Sequence, residues 1–218
     1  ADLFVLADLW NQPSLNNWFP YSDINRIVGG QKYITFDAGY STICNQNYLA
    51  CNLVYHGCQD CFCRGPRQDF LQKFYCSAVA NIFLSPLHAQ TIQKAIDLEL
   101  KNIIYLKPTI DTTIFYNKNL ERTIDLLYVG VICQAKGVHL LAQRAKEFAN
   151  IVFIGDNIWD GQLPGQYLGK ILDKTVISDY YNRSKSFWGL CSWPEPFGLT
   201  SAEASLCGCK VLSNDKLG

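Results

Sequence analysis

The 218-residue sequence contains no methionine, not even at position 1, which fits a piece of a longer chain. No apolar run approaches the roughly 18 residues that a membrane-spanning helix needs, so no transmembrane segment is expected. The chain opens ADLFVLAD, without the basic start of a secretory leader, and a cytoplasmic location is the expectation. No charge sign dominates, since 19 Lys and Arg offset 19 Asp and Glu. Nucleic-acid binding normally shows as a basic excess, and no such partner is expected. The P-loop, the nucleophile elbow and the metalloprotease helix are all missing. Their absence argues against the commonest ATPase, serine-hydrolase and zinc-protease chemistries.

Apolar residues make up 49% of the chain, enough for a sizeable core. Short apolar runs predict strands at 2–7, 32–36, 80–84 and 102–106, and amphipathic stretches predict helices at 21–28, 66–78 and 87–98. A loop fills 10–20. Ser85 and Pro86 are a natural N-cap and first helical residue. The polar, irregular run 108–124 is the natural linker. Beyond it, strands are expected at 125–130, 150–155, 166–171, 187–191 and 210–213. Helices are expected from Lys136-Gly137 to about 149, at 176–185 and at 201–206, where Gly208 supplies a stop. This rhythm predicts an α/β protein with two Rossmann-like parallel-sheet domains, 1–107 and 108–218. Ligands of such sheets gather beyond the carboxyl ends of the strands. That places Asp37, Gly130 and the loop 192–200 under scrutiny.

Cysteine is abundant, with ten in the chain, and five of them crowd into CNQNYLACNLVYHGCQDCFC at 44–63. Cys44, Cys51, Cys58 and Cys61 are the candidate ligands of a structural zinc, because a C-x-x-C step lets two thiolates face one ion from a tight turn. A pair of disulfides and plain buried thiols are the competing readings.

The most informative stretch is FWGLCSWPEPFGLTSAEASLCGCKVLSN, 187–214. Its loop carries Glu195, its glycine sits where a helix starts, and a second acid, Glu203, follows after seven residues. Thr200 and Glu203 also have the spacing of a capping box, which would confine Glu203 to a local role. The segment resembles the donor motif of the retaining GT-B glycosyltransferases of family-four type. The resemblance implies a GT-B-like fold with a shortened N-terminal domain. It makes 1–107 the acceptor-side domain, with the Cys-rich insert, and 108–218 the donor-side domain. Glu195 would contact the transferred sugar, the backbone of Phe197, Gly198 and Leu199 sugar and phosphate, and Glu203 the ribose. Gly130 and Lys136-Gly137 are similar to the family's phosphate-binding segment, where Lys136 would stabilise the departing diphosphate. Asp111 and Phe115 resemble the interdomain crossover, and Asp37 the acidic half of a His-Asp pair on the acceptor side. A subset of the family also carries a Cys-rich insert that Gly57-Cys58-Gln59-Asp60-Cys61 is similar to.

Two positions depart from the family pattern: Phe36 stands where the His is usual, and Val131 where a second cation, an Arg, is usual. Arg144 and Arg183 are the substitutes the sequence offers. The implied activity is hexosyl-type transfer from a nucleotide sugar to a glycan, lipid-linked or small-molecule acceptor, with retention and without a catalytic metal or other cofactor. A non-catalytic nucleotide-sugar or glycan-binding relative is the alternative.

Overall fold

The computed structural model describes residues 3–7, 29–44 and 66–218. The loop expected at 10–20 and the helix expected at 21–28 lie outside the described residues. The chain divides into two compact units, Ala1–Lys107 together with Gly218, and Pro108–Leu217. Each is an α/β layer structure built on a parallel sheet.

The first unit holds strands β1 (Leu3–Ala7), β2 (Lys32–Phe36), β3 (Ala80–Phe83) and β4 (Ile103–Tyr105), with helices α1 (Pro66–Ser77) and α2 (Pro86–Ile96). The strands pair in the order β1-β2-β3-β4, all parallel. Burial alternates along β2, where Tyr33 and Thr35 are covered and Lys32 is exposed, the period-2 signature of a strand. The core gathers Tyr33, Leu71, Phe74, Tyr75, Phe83, Ile92 and Ile96. Ser85 caps α2 as its sequence position implies, accepting from the His88 N–H at 3.1 Å.

The second unit holds β5 (Ile124–Val129), α3 (Val138–Arg144), β6 (Ile151–Ile154), β7 (Gln166–Tyr167), α4 (Lys174–Asn182), β8 (Ser184–Trp188), α5 (Leu199–Leu206) and β9 (Lys210–Leu212). Its strand order is β7-β6-β5-β8-β9, every pairing parallel. The chain therefore works outward from β5 in one direction, then returns to β5's other edge with β8. Successive residues of β5 feed opposite faces. Leu126 and Tyr128 pack with Val138 and Leu141 of α3, whereas Leu127 packs with Tyr181 of α4 and Ala204 of α5. Both faces are covered, which is why β5 and β6 read as nearly unbroken apolar runs.

Several boundaries differ from the sequence reading. The strand expected at 187–191 is Ser184–Trp188. Its polar start pairs with Ile124 and Leu126 of β5, and Ser184 satisfies its hydroxyl on the Tyr180 carbonyl at 2.6 Å. Apolar character alone missed it. The helix expected at 176–185 is Lys174–Asn182, because Asp173 is its N-cap and accepts from the Thr175 N–H at 2.8 Å. The helix expected to reach about 149 gives way after Arg144 to a 3₁₀ turn, Ala145–Glu147. The strand expected at 166–171 is only Gln166–Tyr167. The run 108–124 is no free linker. Phe115 is 2% exposed within the second unit's core. Asp111 accepts backbone N–H bonds through its carbonyl from Phe115 at 2.9 Å and through its carboxylate from Thr113 at 2.9 Å. Those Thr113 bonds hold the Asp111 carboxyl below its ordinary range.

Candidate functional site

In an open parallel sheet a crevice forms where the strand order reverses, because the loops on either side diverge. In the second unit that point lies between β5 and β8. The loop after β5 carries Gly130, Val131 and Lys136, and the loop after β8 carries Cys191, Trp193 and Glu195. The fold thus brings Lys136 and Glu195, 59 residues apart in sequence, into an ion pair between Nζ and Oε2. Both side chains keep part of their surface in contact with solvent, 28% and 13%.

The two loops are fixed against each other by backbone. The Ser192 N–H donates to the Ala135 carbonyl at 2.9 Å. Gly137 adopts a left-handed φ of 75°, and a Cβ there would collide with the Leu190 carbonyl. Only glycine allows that approach without strain. The Tyr128 hydroxyl, buried under the first loop, donates to the Val131 carbonyl at 2.9 Å. Desolvation holds its pKa well above the ordinary phenol value.

Glu195 is held from several sides. Its Oε2 accepts from Trp193 Nε1 at 2.9 Å, and the Cys191 thiol lies 4.0 Å away. Its backbone N–H donates to the Lys216 carbonyl at 2.8 Å. Burial, aided by the Glu195 charge, pushes the Cys191 thiol up to about 12, so this cysteine is a neutral wall and no nucleophile. The Lys136 ammonium also lies 5.0 Å from the centre of the Trp193 ring, within cation–π range.

Past the loop, Gly198 takes a left-handed φ of 78° and starts α5 without a side-chain cap. The helix begins at Leu199, two residues before the sequence reading had it. Thr200 lies inside the helix and is not its N-cap, so the capping box is not formed. Glu203 turns instead toward α4, where the Tyr181 hydroxyl donates to Oε2 at 3.2 Å. Desolvation raises the Glu203 pKa, and the hydrogen bond from Tyr181 offsets part of that rise. Phe197 is half-buried and Leu199 exposed.

The structure also sorts the substitutes for the missing cation at Val131. Arg183 immediately precedes β8, so it lies at the amino end of the strand whose other end leads into the Glu195 loop, roughly 16 Å away at strand rise. Arg144 closes α3 and is engaged with Glu147 at 2.7 Å. Neither belongs to the loops at the switch point. Lys216 does reach them, donating from Nζ to the Ser192 carbonyl at 3.1 Å. No fixed spacing ties residue 216 to the motif, and sequence reasoning passed over it. Trp193 was passed over too, although its place two residues before the acid was the available signal.

In the first unit, Asp37 follows β2 and is 2% exposed. Thr42 Oγ1 donates to its Oδ1, and the Tyr75 hydroxyl donates to its Oδ2 at 3.0 Å. Its backbone N–H bonds the Ile82 carbonyl at 3.1 Å. The turn that follows is tied to α2 by His88. The Leu84 N–H donates to Nδ1 at 3.3 Å, so Nε2 carries the proton and donates to the Gly39 carbonyl at 2.8 Å. Burial lowers the His88 pKa to about 4. Of the candidate zinc ligands, Cys44 is half-buried at the end of this turn, and Cys51, Cys58 and Cys61 lie outside the described residues. Among the described residues no cluster of three or more His, Cys, Asp or Glu is placed to hold a metal, and no helix is long and apolar enough to cross a membrane.

No family model and no curated protein matches the chain. Solved structures do. A glycosyltransferase from Rickettsia africae is similar over 95% of this chain and 65% of its own, at 14% identity and a TM-score of 0.58. HepE of Anabaena, solved with UDP and glucose, is similar over 86% of this chain and 54% of its own, at 14% identity and a TM-score of 0.56. TarM of S. aureus, solved with UDP, is similar over 84% of this chain and 41% of its own, at 12% identity and a TM-score of 0.57. The chain spans about half the length of these proteins. Its fold is the GT-B-like α/β fold that they share, built on two parallel sheets.

Proposed function

We propose that the second unit binds a nucleotide sugar and that the protein transfers the sugar to an acceptor with retention of configuration, without a catalytic metal. One observation carries this reading: Lys136 and Glu195 meet at the carboxyl ends of β5 and β8, where the strand order reverses. A cation there offsets the charge that builds on a departing diphosphate. An acid beside it can accept hydrogen bonds from sugar hydroxyls. In this reading Gly130 lets the first loop approach the phosphates. Phe197, Gly198 and Leu199 present backbone to sugar and phosphate at the start of α5, whose dipole favours an anion. Glu203 takes the ribose hydroxyls, and Asp37 serves the acceptor side by fixing the turn after β2, since Thr42 and Tyr75 occupy both of its oxygens.

Calorimetric titration with UDP, GDP, ADP and their sugar conjugates tests the proposal. One nucleotide is expected to bind saturably. Lys136→Ala should weaken it roughly tenfold to a hundredfold, the worth of a charge-assisted contact. No binding to any of them would refute it. HepE and TarM were solved with UDP, which makes UDP the first nucleotide to try. A second reading, binding without turnover, is favoured by Val131, which leaves Lys136 without the Arg usual beside it. Saturable donor binding with no transfer or hydrolysis of the sugar would select that reading.

A further inference from the structure

We propose that Trp193 is a positioning residue that keeps Glu195 aimed while Lys136 changes partner on donor binding; this deepens the donor-site reading above and rests on it. The arrangement poses a problem for that site. Lys136 and Glu195 face each other as an ion pair, yet the reading asks the lysine to serve a diphosphate and the acid to serve a sugar. A diphosphate carries more negative charge than one carboxylate and competes for the ammonium. Once the ammonium leaves, Glu195 loses its cation and, with it, one of the contacts that orient it.

Trp193 answers both needs. Its Nε1–H donates to the oxygen that Lys136 pairs with, Oε2, at 2.9 Å. An indole N–H is a neutral donor that a phosphate does not draw away as it draws an ammonium. The same ring presents its face to the Lys136 ammonium at 5.0 Å, so the cation keeps a favourable neighbour during the exchange. Trp193 itself is 5% exposed, and its backbone is anchored through Ser192, which bonds Ala135 on one side and Lys216 on the other. One rigid side chain thus serves the acid through its edge and the base through its face.

Trp193→Phe separates the two roles, because it keeps a ring face and deletes the N–H. Calorimetry on wild type and W193F with UDP and UDP-glucose, or with the GDP or ADP pair that the wild type selects, reads the difference. UDP affinity is expected to stay within about twofold, whereas UDP-glucose affinity or kcat falls at least about fivefold. A purely structural role would weaken both ligands alike, and unchanged handling of UDP-glucose would overturn the proposal. If the wild type binds none of these nucleotides, the donor-site reading fails first and the proposal falls with it.

Should W193F not fold, the wild type still decides. The chain has five tryptophans, and the Trp193 indole N–H signal is the one that Glu195→Gln moves in a ¹⁵N spectrum. It is expected to stay protected from solvent exchange at UDP saturation. Rapid exchange on saturation would overturn the proposal.

Discussion

Asp37 and Glu195 are both acids in loops that follow a parallel strand, and they are held in opposite ways. Asp37 is enclosed, with neutral hydroxyl donors on both oxygens and its backbone N–H bonded to Ile82. Glu195 is partly open and faces a cation that has solvent access. The first arrangement costs a large desolvation that only well-made hydrogen bonds recover. The second costs little stability to disturb, and it leaves charge where a ligand can reach it. A carboxylate's place at a strand end is therefore no guide by itself to its work. What surrounds the carboxylate separates a group that holds a fold from one that can change partner.

Substitution should sharpen the contrast most at Asp37. Asp37→Ala removes the carboxylate that the buried hydroxyls of Thr42 and Tyr75 donate to, and a loss of about 3 kcal/mol is expected in urea unfolding of the first unit. Nucleotide affinity should not change. Glu195→Ala should do the reverse, lowering nucleotide-sugar affinity while the urea midpoint stays nearly fixed. If Glu195→Ala destabilised the fold as much as Asp37→Ala, the comparison would collapse.

Acid should give a similar effect in the first unit through His88. His88 titrates near 6.5 when unfolded and about 4 in place, so between those values the unfolded chain binds the proton more readily. Its contribution is whole above pH 6.5 and is lost as pH falls toward 4, roughly 3 kcal/mol across the window. Protonation at Nδ1 also breaks the bond from Leu84. His88→Gln should flatten that acid limb of a stability-against-pH curve. The smallest change is expected from Tyr181→Phe, about 1 kcal/mol, since Glu203 loses one neutral donor. Thermal melts with and without nucleotide would show whether looser Glu203 also weakens ribose-bearing ligands.

The fold was legible because strand and helix periods differ and the run of apolar segments is regular. Ser85-Pro86 gave a helix start directly, since capping is local chemistry. Strand ends were less legible: Ser184, Lys185 and Ser186 extend β8 through pairing with β5, and pairing leaves no mark on a single segment. The site divides the same way. Glu195 was marked by the prolines on either side of it, and Gly130 and Lys136 by their resemblance to a phosphate-binding segment. That Lys136 and Glu195 meet depends on β8 settling beside β5, a long-range event. Lys216 enters only through that geometry, whereas Trp193 had its place two residues before the acid as a signal. The capping box at Thr200 was a local pattern overruled by Gly198, which starts the helix two residues earlier than that box would.

The contact of Gly137 with the Leu190 carbonyl makes the two loops one joint. Neither can shift without carrying the other, so amide exchange in both should follow a single opening event. For anyone recombining such proteins, the consequence is practical. A graft of either loop alone would bring in half of a fitted surface, and the two must travel together.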